Sequence, residues 1–232
     1  MIKTVIFDID NTLYNYDSAH EKAMAALSAY AEKELELPRT TLEKLMKKAF
    51  DEQKEYMGNI AAIHNRTIRF QYMLENRGLP LHPHVLKMDE IYWETLLEAA
   101  MPSTGAVSVM ETLKAKGIRI GIGTDMTARM QFRKLTALEL LPYVDFFVSS
   151  EEAGVEKPEA KFFSRCLTKA GCNKEECLFV GDSLKKDVYG AINAGFKAVW
   201  YCPKGNQTQT DVLQISNMMQ LVKIVFADND LP

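Results

Sequence analysis

Val5-Ile6-Phe7-Asp8-Ile9-Asp10-Asn11-Thr12-Leu13 is a short apolar run that ends on two aspartates. Read as a strand, it leaves Asp8 at the carboxyl end, and period-two alternation puts Asp10 on the same side. Carboxylates crowded in this way repel. They are tolerable when a cation sits between them or one keeps a proton. Such a pair suits a magnesium-dependent phosphoryl-transfer site in which one carboxylate attacks phosphorus. Taken alone, the segment fits an exposed Asp-rich turn equally well. Three later segments decide between the two.

From Pro102 and Gly105 onward, helical patterns alternate with buried strand-like runs. A helix near 105–116 ends at Gly117, a residue suited to a helix C-terminus. The strand Ile118-Arg119-Ile120-Gly121-Ile122-Gly123 follows it. A helix near 127–138, a strand at 146–148, a helix near 159–170 and a strand at 177–180 come next. A helix near 185–194 and the strand Ala198-Val199-Trp200-Tyr201 complete the series. This alternation predicts an α/β fold, a Rossmann-like parallel sheet with right-handed crossovers that includes the first strand.

Between the first strand and the rest, residues 17–100 carry helical periodicity. Apolar positions recur at 23, 27, 30 and 31, at 42, 45, 46 and 49, at 60, 63, 70, 73 and 74, and at 85, 88, 91, 92 and 96. Ser18 with Glu21, and Thr40 with Glu43, have capping-box spacing. Breaks near Pro38, Gly58 and Gly78-Leu79-Pro80 divide the segment into four helices. The expected organisation is a core of residues 1–15 and 101–232 with an inserted four-helix domain at 16–100. Hinges are expected near Tyr14–Tyr16 and Met101–Gly105.

Composition narrows the function classes. A net charge of −3 gives no reason to expect a nucleic acid or an anionic membrane as partner. No apolar stretch approaches the ~20 residues of a membrane span, and the N-terminus lacks a signal-like apolar region, so a cytoplasmic protein is expected. Cys166, Cys172, Cys177 and Cys202 lack zinc-site spacing and are expected as free thiols. Monomer and small homo-oligomer both remain open.

In a parallel sheet, ligands gather at the carboxyl ends of the strands. Those ends carry Asp8 and Asp10, then Thr124-Asp125, then Gly181-Asp182 followed by Asp187, with Lys157-Pro158 in a loop before a helix. A hydroxyl, backbone N–H groups, a lysine and further carboxylates all suit phosphate chemistry.

In this order the motifs resemble those of the haloacid-dehalogenase superfamily, in the branch whose helical cap follows the first strand. Asp8-Ile9-Asp10-Asn11-Thr12-Leu13 matches the first motif, Thr124 the second, Lys157 the third, and Gly181-Asp182 with Asp187 the fourth. The resemblance implies an enzyme that hydrolyses a small phosphorylated metabolite. Asp8 would be the nucleophile and Asp10 the general acid and base. Magnesium would lie on the Asp8 carboxylate, the Asp10 main-chain carbonyl and Asp182, with Asp187 in its outer shell. Lys157, Thr124 and backbone N–H groups near Asn11 and Asp125 would bind the phosphoryl oxygens. Details around the lysine and the fourth motif are similar to pyrimidine 5′-nucleotidases and acylneuraminate-9-phosphatases. Asn11, Tyr14 and Tyr16 are placed for substrate contact, whereas His20, early in the cap, is expected as a partly buried surface histidine. Sugar-phosphate mutases share the arrangement. Haloacid dehalogenases typically lack an acid at the position of Asp10, and a non-catalytic binding module would have lost one of the carboxylates.

Overall fold

A computed structural model describes residues 1–203, 205 and 210–227. Cα packing divides the chain into two compact units, Met1–Asn15 with Met101–Pro232, and Tyr16–Ala100. The first is α/β and the second helical.

The α/β unit is built on six parallel strands: β1 (Thr4–Phe7), β2 (Arg119–Thr124), β3 (Phe146–Ser149), β4 (Cys177–Gly181), β5 (Lys197–Tyr201) and β6 (Gln214–Ile215). Their order is β3-β2-β1-β4-β5-β6. Val5, Ile6 and Phe7 pair with Ile120, Gly121 and Ile122 on one side and with Leu178, Phe179 and Val180 on the other. Every residue of β1 is buried, as in a central strand covered on both faces. Strand order reverses between β1 and β4, and their carboxyl ends therefore flank the crevice where such sheets bind ligands. Below it, Phe162, Phe163, Cys166, Phe179 and Ala191 form part of a contiguous buried cluster.

The helices of this unit are α5 (Ala106–Ala115), α6 (Ala128–Ala137), α7 (Ser150–Ala153), α8 (Ala160–Ala170), α9 (Tyr189–Asn193) and α10 (Gln220–Ala227). The single helix expected near 185–194 is instead a π-turn, Leu184–Val188, leading into α9. The short strand β6 and helix α10 had no clear sequence signal. The polar stretch 203–211, whose composition reads as a loop, falls mostly on residues 204 and 206–209, outside the described residues.

The helical unit contains α1 (Tyr16–Leu35), α2 (Arg39–Met57), a 3-10 turn (Ala61–His64), α3 (Arg66–Arg77) and α4 (His84–Ala99). Leu27, Ala31, Leu42, Ala49, Phe70, Met73, Leu74, Met88, Tyr92 and Leu96 are buried, following the helical period. Ile60, expected on that pattern, lies between elements and is exposed. Neither capping box forms. α1 begins at Tyr16 and α2 follows Pro38, so Ser18 and Thr40 already lie inside the helices. Asn65 supplies a side-chain cap, its Oδ1 accepting from the Ile68 N–H at the start of α3. The four cysteines are free. Among the described residues no helix is long and apolar enough to cross a membrane.

Candidate active site

β1 stops at Phe7, but the Asp8 N–H still donates to the Val180 carbonyl at 2.9 Å, which fixes Asp8 beside the end of β4. Beyond it Asn11 adopts φ 57°, a left-handed conformation that asparagine tolerates better than most residues. The turn closes as the Thr12 and Leu13 N–H groups donate to the Ile9 carbonyl at 3.2 and 2.9 Å. Asp10 follows just past the strand, bridging to Tyr14, and it remains close enough for its charge to add to the upward push on both Asp8 and Asp182.

One carboxylate oxygen from each of Asp8, Asp182 and Asp187 lies within 4.8 Å of the others. Asp182 follows Gly181, and its carbonyl accepts from Trp200 Nε1 at 2.7 Å. Asp187 reaches the group from the π-turn, and its Oδ2 accepts from the Ser183 N–H at 2.9 Å. Glycine at 181 makes this approach possible, since a Cβ there would collide with the Asp187 carboxylate. Lys157, 2 % exposed, places Nζ 2.9 Å from Asp8 Oδ1, 2.7 Å from Asp187 Oδ1 and 3.3 Å from the Gly123 carbonyl.

One lysine is insufficient counter-charge for three acids. Burial, then repulsion from Asp187 and Asp182, push the Asp8 carboxyl up to about 8 although Lys157 opposes the shift. Burial and Asp187 push Asp182 up to about 7. Burial works against the Lys157 ammonium, but Asp187 and Asp8 outweigh it and hold its pKa well above the ordinary value. Oxygen donors in a charge-deficient cluster are what a hard divalent cation requires.

Asp10 has the opposite environment. Lys134 Nζ lies 2.7 and 2.8 Å from its two oxygens, Tyr14 donates its hydroxyl at 2.6 Å, and Gln131 Nε2 donates at 3.1 Å. Burial disfavours the Asp10 carboxylate, but Lys134, Tyr14 and Gln131 together hold its pKa below the ordinary value. Sequence reasoning missed Gln131 and Lys134. A signal was present: 131, 134, 135 and 138 form a helical stripe whose first two members are polar, and both are buried. Tyr14, expected to meet substrate, is fully buried and serves Asp10 instead.

Thr124 is buried at the end of β2, where its Oγ1 accepts from Gln131 Nε2 at 2.8 Å. The Asp125 side chain is occupied elsewhere: Oδ1 accepts from the Lys157 N–H at 3.0 Å, and Oδ2 from Lys186 Nζ at 2.8 Å. Any phosphate contact at 125 is therefore left to the backbone. Tyr16 and His20 belong to the helical unit, where Tyr16 accepts from Arg66 Nη2 and His20 Nδ1 lies 2.7 Å from the Tyr92 hydroxyl.

Residues 2–195 match the haloacid dehalogenase-like hydrolase family. The chain belongs to that family. It is 32% identical to ribulose-1,5-bisphosphate 5-phosphatase of Halopiger xanaduensis, over 91% of this chain and 89% of that protein. It is 33% identical to glyceraldehyde 3-phosphate phosphatase of Methanopyrus kandleri, over 86% of this chain and 83% of the other. Among solved structures, 2-haloacid dehalogenase of Pseudomonas syringae pv. tomato superposes with a TM-score of 0.77 at 28% identity, covering 98% of this chain and 99% of that one. As in this family of hydrolases, the matched range spans the α/β sheet and the helical insertion between its first two strands.

Proposed function

We propose that this protein is a magnesium-dependent phosphatase that hydrolyses a small sugar phosphate through an aspartyl-phosphate. The observation that carries the proposal is the pairing of Asp8, held 2.9 Å from Lys157 in the three-carboxylate cluster, with a separately braced acid at Asp10. The relatives that act on ribulose bisphosphate and glyceraldehyde 3-phosphate support a sugar phosphate as substrate.

Asp8 and Asp182 would hold the cation, with the Asp10 main-chain carbonyl. Both Asp187 oxygens are already engaged by Lys157 and Ser183, which supports its outer role. The bound cation supplies counter-charge to the nucleophile and the phosphoryl oxygens. Lys157 and Thr124 neutralise and orient the phosphoryl group, without which a dianion meets a carboxylate at a cost of ~4 kcal/mol per charge pair at 4 Å and an effective dielectric of 20. Asp8 attacks phosphorus, and the bond to the leaving oxygen breaks as Asp10 delivers a proton to it. Asp10 then takes a proton from the water that attacks the aspartyl-phosphate, releasing phosphate and restoring Asp8.

Asp10 also argues against dehalogenation despite the fold shared with a dehalogenase, because a halide leaves without needing a proton. A mutase would use the same two aspartates but return the phosphoryl group to a hydroxyl. Incubation of purified protein with magnesium and sugar monophosphates is expected to release inorganic phosphate, and Asp8→Asn to abolish it. Turnover that survives Asp8→Asn, or chloride release from 2-chloropropionate without any phosphate release, would overturn the proposal.

A further inference from the structure

The helical unit contains a cavity of about 400 Å³ among α1, α2 and α3. We infer that this cavity is an anion-binding site, built on Arg66 and Arg69, for a compact oxyanion such as a phosphate or carboxylate group. The two arginines stand three residues apart on α3 and so share a face. Arg66 is buried, donates Nη2 to the Tyr16 hydroxyl at 2.7 Å, and stacks with its guanidinium carbon 3.8 Å from the Tyr92 ring centre. Arg69 donates Nη2 to the Ile63 carbonyl at 2.8 Å and lies over Phe50. Its Nε is buried without a hydrogen-bond partner.

Neither guanidinium forms an ion pair among the described residues. The two acids of the cavity wall, Glu21 and Glu43, are both engaged by Arg39, at 2.6 and 2.7 Å. Two neighbouring cations and a buried, unused N–H donor are therefore directed by aromatic and carbonyl partners, with no internal anion to match them. Burial, then the charge of Arg66, push Arg69 down to about 10, with Tyr16 and Tyr92 opposing the shift only in part. The planar forks suit bidentate oxyanion binding.

The anion has two candidate sources, a second anionic group of the substrate or a free metabolite anion. The first rests on the phosphatase reading; the binding itself does not. The chain has two tryptophans, and Trp93 lies against the site with its ring centre 5.6 Å from the Arg66 guanidinium. In full-length Trp200→Phe protein with EDTA, sulfate at matched ionic strength is expected to change Trp93 emission saturably. Arg69→Met should weaken that binding at least tenfold, and Arg69→Lys, which keeps the charge but not the paired donors, should also weaken it several-fold. No saturable response to sulfate, a measurement that needs no arginine variant, overturns the inference, as does equal affinity in folded Arg69→Met. For the source, the kcat/KM ratio of a bisphosphorylated to a monophosphorylated sugar is compared between wild type and Arg69→Met. A tenfold fall in that ratio supports the site and assigns it to substrate; an unchanged ratio with sulfate binding lost supports it as a site for a free anion. Absence of all turnover would defeat the phosphatase reading and leave the sulfate result standing.

Discussion

The acidic cluster makes the cation-free protein less stable as pH rises, and a bound cation should remove that penalty. Asp8 sits near 8 in the folded protein against an ordinary 3.8, so it keeps a proton through neutral pH that the unfolded chain has lost. The folded state then binds more protons, and unfolding free energy falls with rising pH. Each pH unit at one full proton difference is worth roughly 1.4 kcal/mol. Integrated from pH 6 to 8, with Asp8 half ionised at the upper end, the loss is about 2 kcal/mol. Asp182, near 7, adds up to about 1 kcal/mol more. The two share the repulsion of Asp187, so roughly 3 kcal/mol is a ceiling, or a fall in melting temperature of about 6–12 °C for a chain of this size.

The assay is urea unfolding of the α/β unit, followed by Trp200, whose indole donates to the Asp182 carbonyl. In EDTA the free energy should drop by about 2–3 kcal/mol between pH 6 and 8. Saturating magnesium should flatten that slope, because the cation binds the ionised carboxylates. Asp8→Asn, measured in EDTA, removes the largest titrating group and should lose about 2 kcal/mol of the drop. A wild-type slope that is identical in EDTA and in magnesium, or untouched in Asp8→Asn, would refute the assignment of the cluster as a cation site with unmet charge.

Three other perturbations separate the roles at the site. Asp10→Asn should lower kcat about 10²- to 10⁴-fold on an alkyl phosphate and much less on p-nitrophenyl phosphate, whose leaving group needs little protonation; equal losses on both would remove the proton-donor role. Gly181→Ala forces the Asp187 carboxylate aside and should raise the magnesium concentration for half-maximal activity about 10- to 100-fold, and an unchanged requirement would show that Asp187 does not support the metal site. Lys134→Met removes the cation that holds Asp10 ionised, so Asp10 keeps its proton to higher pH and the alkaline limb of the kcat/KM profile in magnesium should move to higher pH; a limb that stays in place would show that Asp10 is not the group it reports.

Parallel strands buried on both faces are nearly continuous apolar runs, and this made β1 to β5 legible within a residue or two. Their carboxyl ends follow from the topology, which is why Asp8, Thr124 and Asp182 could be placed there before any geometry, while Lys157, in a loop past β3, was joined to them by the resemblance to the family motifs. What escaped depends on relations that a linear pattern does not carry. Ser18 and Thr40 have cap spacing, but Tyr16 and Pro38 set earlier helix starts. The π-turn at 184–188 differs from a helix only in how its hydrogen bonds close, and β6 is two residues long. The largest omission is Lys134, which lies 124 positions from Asp10 and looks like an ordinary helix residue until its burial is known.

That omission bears on the chemistry. Without a cation the site favours a protonated Asp8 and an ionised Asp10. The proposed first step needs the reverse, an ionised nucleophile and a protonated acid. Both groups must therefore change state when the site is loaded. Counter-charge entering the acidic cluster favours release of the Asp8 proton, and a dianionic phosphoryl group arriving beside Asp10 favours proton uptake there. Once Asp10 has given its proton to the leaving oxygen, Lys134, Tyr14 and Gln131 already surround the carboxylate that results, so the same braces that oppose the acid form stabilise the base needed for water. On the proposed mechanism, Asp10 would be set as a base at rest and made an acid by its substrate. The magnesium-dependent slope and the Lys134→Met profile each measure one half of that exchange.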